Sequence, residues 1–404
     1  MTAEASPPAP PPSDRLLIVL LAVTTAAGPV TMNIYLPALP HVQAHFGTTV
    51  AGMNTTVILA LTAFALGILV HGPLSDRYGR RPVILAGLLI FAVGNLLCLF
   101  APSFEVLLAG RIVQALGTAA GVVVARAMLG DLYGREKMAR MLAYLTMVMV
   151  VGPTVAPLVG GFVTEAFGWQ SIFALLLAAN ALIFGFAWRH MPETRRADPQ
   201  GSGAAALARE SLAMLRRPVF LGLALQAAMI YAIFLAFISI APYVMSALGH
   251  RASAYGTWYL LVALGYFLGN WIVTRHASRI GLTRLISLGL VIQLACAVAG
   301  VVLVVAGLWH PAAIFIPMSL LAFGQGLALP NITASAVALA PRTPGSAASM
   351  LGFTQQLVGA LAVQGMAAFP AGSPVPIYVF TVVVALAAWL SLFAMPREEA
   401  LRQG

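Results

Sequence analysis

Apolar residues run for roughly twenty positions at a time along this chain, and short clusters rich in arginine, glycine and proline separate one run from the next. Twelve such runs are placed, at residues 15–30, 50–71, 82–101, 105–128, 138–161, 169–188, 218–246, 254–274, 283–307, 311–332, 345–369 and 375–395. At about 1.5 Å of rise per residue, helices of this length cross a hydrocarbon core. The first run resembles a secretion signal in position only. It is long and eleven more follow, so it is read as an uncleaved span. It leads into TMNIYLPALP, residues 31–40, whose prolines are expected to bend or stop the helix near the outer surface.

Composition strengthens the membrane reading. Of 404 residues 60% are hydrophobic and only 8% charged, with mean hydropathy +0.93, where a soluble domain carries about 25% charged residues. The expected class is an all-α integral membrane protein whose twelve transmembrane helices form two six-helix, pseudo-symmetric bundles. Cys98 and Cys296 fall inside apolar runs and read as small buried hydrophobes, not as a disulfide or metal pair.

The net charge of +10 sets orientation. Arg77, Arg80, Arg81, Arg135, Lys137, Arg140, Arg189, Arg195, Arg196, Arg209, Arg216, Arg217, Arg275, Arg279, Arg284 and Arg342 occupy alternate connections, and Arg15, Arg397 and Arg402 the tails, whereas the opposite connections hold Arg251. Positive residues favour the cytoplasm, so both termini are expected there and the span count is even. A basic chain of this kind needs no nucleic acid as partner; its charges are loop charges. The domain reading is a disordered cytoplasmic tail at 1–14, a first bundle at 15–188, a charged linker at 189–217, a second bundle at 218–396 and a tail at 397–404. A weak internal echo supports the two halves: Arg279-Ile280-Gly281 follows the eighth run as Arg77-Tyr78-Gly79 follows the second.

Four motifs then narrow the class. GPLSDRYGRRP at residues 72–82 resembles the loop signature of the major facilitator superfamily. RIVQALGTAAG at 111–121 and GPTVAPLVGG at 152–161 resemble the fourth- and fifth-span signatures of its drug:proton antiporters. NIYLPALP at 33–40 resembles the first-span motif of the bicyclomycin and chloramphenicol exporters, the Bcr/CflA family. This resemblance implies a cytoplasmic gate in which Asp76 and Arg80 join Asp131 when the transporter faces outward, with a helix end near Ser346 supplied across the interface. In physical terms Gly72 and Gly79 are expected to turn the loop tightly, and Asp76 to receive free amides at a helix end. Gly152, Pro153, Pro157, Gly160 and Gly161 are expected to make a hinge or a tight contact between bundles.

Arg111 lies several residues inside the fourth run, where a cation costs about 2.5–3.5 kcal/mol on insertion scales. It is expected to face an interior polar space with Gln114 one turn later, the alternative being snorkelling to the surface. Asn33 stands where related exporters carry Asp, and an amide cannot titrate. Tyr35, Asn54, Gln226, Tyr231 and Gln356 complete the expected substrate or coupling set. Tyr266, Asn270, Gln325, Asn331 and Gln355 belong to the same polar inventory. His41, His45 and His71, near run ends, are expected to be surface histidines.

An enzyme is not expected, because no nucleophile elbow, metal spacing or cofactor loop occurs. Lys137, the only lysine, lies in GREKMAR, so no GxxxxGK[ST] nucleotide loop exists. The expectation is a monomeric secondary exporter of small amphipathic drugs or metabolites in a bacterial inner membrane. It would need no cofactor, with the lipid bilayer, a small-molecule substrate and protons as partners. With Arg111 present and no central carboxylate, a neutral, zwitterionic or weakly anionic compound is favoured over a dication. An importer or uncoupled facilitator of a small polar solute is the alternative.

Overall fold

Proline placement decides how the first apolar segment behaves. In the computed structural model, α1 (Asp14–Tyr35) carries Pro29 within it and passes through a 3-10 turn (Leu36–Ala38) into α2 (Leu39–Phe46). The prolines at 37 and 40 sit in the first turns of their helices, where a missing N–H leaves no hydrogen bond broken. α1 therefore ends at Tyr35, inside the 31–40 stretch whose prolines are expected to bend or stop the helix, and the 3-10 turn and α2 carry the chain on to Gly47 with φ +61°. Residues 14–132, 135–194, 214, 216–339, 344–370 and 372–394 are described, and all regular structure within them is helical. Most of both tails and of the 189–217 linker lies outside them.

Thr49 caps α3 (Val50–Tyr78), its Oγ1 accepting from the Gly52 amide at 3.1 Å. One residue later α4 (Arg80–Leu99) begins. The expected loop at 72–83 is thus mostly helix. Gly72 is helical and makes no turn; Gly79 alone reverses the chain, at φ +96°. α5 (Phe104–Leu132), α6 (Arg135–Phe167) and α7 (Gln170–His190) complete the first half. The second holds α8 (Pro218–Ala247), α9 (Ala252–Ile280), α10 (Leu282–Val305), α11 (Pro311–Ala338), α12 (Pro344–Met366) and α13 (Val375–Ala394). Between α9 and α10 stands Gly281 at φ +88°, the same single-glycine junction as Gly79. The faint sequence echo is a geometric repeat.

Ten helical segments are long and apolar enough to cross a membrane among the described residues, and α6 and α12 complete a set of twelve long helices. Burial sorts them. α8 hides 78% of its most apolar stretch and α1, α5 and α11 most of theirs, whereas α7, α9 and α13 hide 28%. Large apolar side chains such as Leu182, Val302, Leu361 and Val383 stand exposed on the outer helices, as a lipid-facing surface requires.

Close packing inside each half rests on small residues. A Cβ on Gly94 of α4 would lie 2.4 Å from the Gln114 amide of α5, and one on Gly117 would lie 2.4 Å from that of Phe91. In the second half Gly289 of α10 and Gly324 of α11 face each other's carbonyls in the same manner.

Candidate functional site

A cleft of about 110 Å³ opens between the halves, walled by α1, α3 and α5 on one side and α8 and α12 on the other. Val57, Leu61, Phe64, Phe234, Leu235 and Ile238 make its walls apolar, and Asn33, Arg111, Gln114, Thr118, Tyr231 and Gln356 supply polar groups. Five of the eight expected substrate or coupling residues thus meet at one cavity.

Arg111 is the ionic member. It is 1% exposed, so it does not snorkel. Nη1 donates to Gln114 Oε1 at 2.6 Å, Nη2 lies 3.3 Å from Met32 Sδ, and the guanidinium stands 4.5 Å over the Tyr35 ring. Gln114 in turn donates to Asn95 Oδ1 at 2.7 Å, and Asn95 to Phe91 O at 2.9 Å. The chain of amides holds the guanidinium in one pose. Only a glycine at 94 lets α4 come near enough for Asn95 to reach Gln114. Among the described residues no carboxylate pairs with Arg111.

Asn33 links the halves. Its Nδ2 donates to Pro29 O at 2.8 Å, and its Oδ1 accepts from Tyr259 of α9 at 3.4 Å. Three expected members stand elsewhere. Tyr35 is fully buried beneath Arg111. Asn54 is buried where its Nδ2 donates to Val363 O of α12 at 3.4 Å. Gln226 is turned to α13, donating to Ala388 O and Ser391 Oγ. Buried amides are drawn to the nearest free acceptor, and for these it is backbone or hydroxyl rather than the cleft. Gln325, Asn331 and Asn270 are likewise spent on Ile230 O, Leu327 O and Tyr266 O. Asn95, a lone amide in the third run, was missed by sequence reasoning.

At the basic end, Arg80 joins Asp76 Oδ1 at 2.8 Å and Asp131 Oδ2 at 2.9 Å, and donates to Ser75 Oγ at 2.6 Å. The triad is assembled although the opposite end is closed, contrary to the expectation that it forms in the outward-facing state. All three residues belong to one half, so no movement between halves is needed to join them. The side chain near the expected partner, Ser346, lies outside the described residues. Glu193, just past α7, receives the first amides of α4, from Arg80 at 2.8 Å and Arg81 at 3.1 Å. That is the part expected of Asp76. The acid after Pro192, at a span end, was the available signal. His71 also departs from expectation: it is buried, with Nδ1 2.7 Å from Gly67 O, because it lies about two turns inside α3 and not in a loop. His41 and His45 are exposed.

The opposite end is sealed by α6 and α9. Pro153 and Pro157 both lie within α6, which runs unbroken to Phe167. Gly152 faces Val30, and Gly160 approaches Ile34 O of α1 so closely that a Cβ has no room. Gly161 lies against Ala252 and Ser253 of α9, and Gly256 of α9 against Pro157 and Leu158. Glu165 Oε1 accepts from the Ser253 amide at 2.8 Å, capping α9 across the interface. Together with Asn54 and Asn33, these are the hydrogen bonds that cross between halves among the described residues.

The family model described as Major Facilitator Superfamily matches residues 21–363. The chain belongs to that superfamily. Multidrug resistance protein D of Escherichia coli (strain K12) is 27% identical over 82% of this chain and 83% of its own length. The bicyclomycin resistance protein homolog of Haemophilus influenzae is 25% identical over 82% and 84%. The chloramphenicol resistance protein of Pseudomonas aeruginosa is 39% identical over 41% of this chain and 39% of its own. Among solved structures, a bacterial homolog of the lysosomal transporter Spinster, inward-facing and unoccupied, superposes with TM-score 0.75 at 20% identity, covering 96% and 98% of the two chains. A D-xylose–proton symporter gives 0.75 at 14%, covering 95% and 98%. The protein is therefore a multi-pass membrane transporter of the major facilitator fold, a secondary transporter and not an enzyme, and it takes a small-molecule substrate within the membrane.

Proposed function

We propose that this superfamily member exports small amphipathic drugs or metabolites across a bacterial cytoplasmic membrane, with its basic end and both termini in the cytoplasm. The observation that carries the reading is the cleft between the halves: apolar walls, one buried guanidinium, and no carboxylate among its described lining residues. Its outer end is held shut by α6 and α9, which makes this the state that loads from the basic side. Rocking of the halves about the cleft would then expose it outward. The names of the relatives, which are drug-resistance proteins, support export over uptake. The fourth- and fifth-span motifs at 111–121 and 152–161 support the drug:proton antiporters in particular, and so point to the proton gradient as energy source.

Expression in a bacterial host lacking its own exporters tests this. Raised tolerance to phenicol-like neutral compounds, lost in a Gly160→Leu variant, is the expected result. Efficient export of dications with no effect on neutral compounds would overturn it. Asn33, an amide in place of a membrane carboxylate, favours one second reading, an uncoupled facilitator. Flux in sealed vesicles with and without an imposed pH gradient separates the two.

A further inference from the structure

Among the described residues the cleft wall holds one ionic group, and that group lacks a counter-ion. Among the described residues the hydrogen-bond and ring partners of Arg111 are neutral: the Gln114 carbonyl, the Met32 sulfur and the Tyr35 ring. Its Nε is buried with no partner. A guanidinium presents its donors in a planar fork that matches the two oxygens of a carboxylate, and a pair formed out of water is far stronger than one formed in it. The other polar groups on the wall, Asn33, Thr118, Tyr231 and Gln356, are also neutral, so none repels an anion. Phe64 and Phe234 leave room for an apolar body beside the charge.

We infer that the compounds carried best have a single anionic oxygen group on an apolar body, that this group docks on Arg111, and that their export is electrogenic, neutral amphipathic compounds being carried more slowly. The inference rests on the exporter reading. Arg111 stays with the protein through the cycle, so loaded and empty carriers differ by the one negative charge of the compound. Each turnover then moves that charge outward, and a proton taken inward by antiport adds to the net charge moved instead of cancelling it. An inside-negative membrane drives the step, supporting about a tenfold concentration ratio for each ~59 mV.

The full chain, reconstituted in sealed vesicles, is tested with naphthoate and its neutral counterpart naphthamide under imposed potassium diffusion potentials, with protein-free vesicles subtracted. Naphthoate is expected to leave the negative side at a rate that follows the potential, while naphthamide moves more slowly and follows it less steeply. Arg111→Gln is expected to weaken naphthoate binding about thirtyfold or more, with Arg111→Lys retaining part. Naphthoate flux indifferent to potential, or naphthamide carried as well as naphthoate, overturns the inference on the native chain alone, whether or not the variants assemble. Naphthoate bound equally by native chain and Arg111→Gln also overturns it. Export of a phenicol-like neutral compound with no naphthoate flux refutes the anion and leaves the exporter reading standing. No flux of any of the three refutes both.

Discussion

Arg111 keeps its place by a relay of amides, and the relay makes a sharp energetic demand. Gln114 accepts from the guanidinium and donates to Asn95, so Gln114→Leu strips a partner from each neighbour at once. Leaving buried polar groups unsatisfied costs about 1–3 kcal/mol, and a lower thermal midpoint in detergent is the expected outcome. Asn95→Leu alone should cost less, because Gln114 still receives Arg111, and the two changes should fall short of additive. Strict additivity would show the relay to be an accident of packing. Asn33 makes a different prediction. Asn33→Asp removes the donor to Pro29 O and sets a titratable carboxylate on the wall that holds Arg111. Vesicle flux should gain a pH dependence and accept cations; no change in flux, pH dependence or selectivity reduces Asn33 to a brace between α1 and α9. At this scale Arg111 and Gln114 were legible, because a charge inside an apolar run has few places to go. Asn95 was not, because a single amide in a span carries no mark of which neighbour it faces. Gln226 and Asn54 looked the same as Gln356 in sequence, and only the side of the helix they occupy separates them.

Helices were legible where hydropathy alone decides them and misread where glycine and proline punctuate them. Pro37 and Pro40 were expected to bend or stop the helix and Gly72 to turn the loop; α1 does give way to a 3-10 turn at Leu36, but helix resumes through Pro40 and runs through Gly72, because proline in a first turn loses no hydrogen bond and glycine is tolerated within an apolar span. Gly79 and Gly281 kept the meaning the sequence assigned to Gly79, since a one-residue reversal needs positive φ. The three glycines of α6 now separate in expected severity. Gly152→Ala meets only the tip of Val30 at 2.9 Å, which can rotate away, and should be mild. Gly160→Ala puts a carbon against the Ile34 carbonyl and must push α1 from α6, so it should lower stability most. Gly161→Ala meets backbone of α9, with Ala252 O at 2.6 Å and Ser253 Cα at 2.7 Å, and should disturb the contact between halves more than either half. Thermal unfolding of the three variants beside their transport rates checks that order.

For the molecule as a whole, the two ends are held by different kinds of contact. The network of Asp76, Arg80, Asp131 and Glu193 lies within one half and braces it; the seal at the other end joins one half to the other through Gly161, Gly256 and the Glu165 cap on α9. Loss of the two should therefore read out differently. Glu193→Ala removes the acceptor for the first amides of α4 and should lower the thermal midpoint without moving the balance between open and closed ends. Glu165→Ala removes a cap that exists only while the outer end is closed. Caps of this sort contribute about 1 kcal/mol, which shifts a two-state balance about fivefold toward the outward-open form. Pulsed spin-label distances between Thr48 and His250 at the sealed end, with Cys98 and Cys296 replaced by alanine, would report it as a longer-distance population that grows in Glu165→Ala and not in Glu193→Ala. Equal distance distributions in both variants would mean that the glycine contacts hold the seal without the cap.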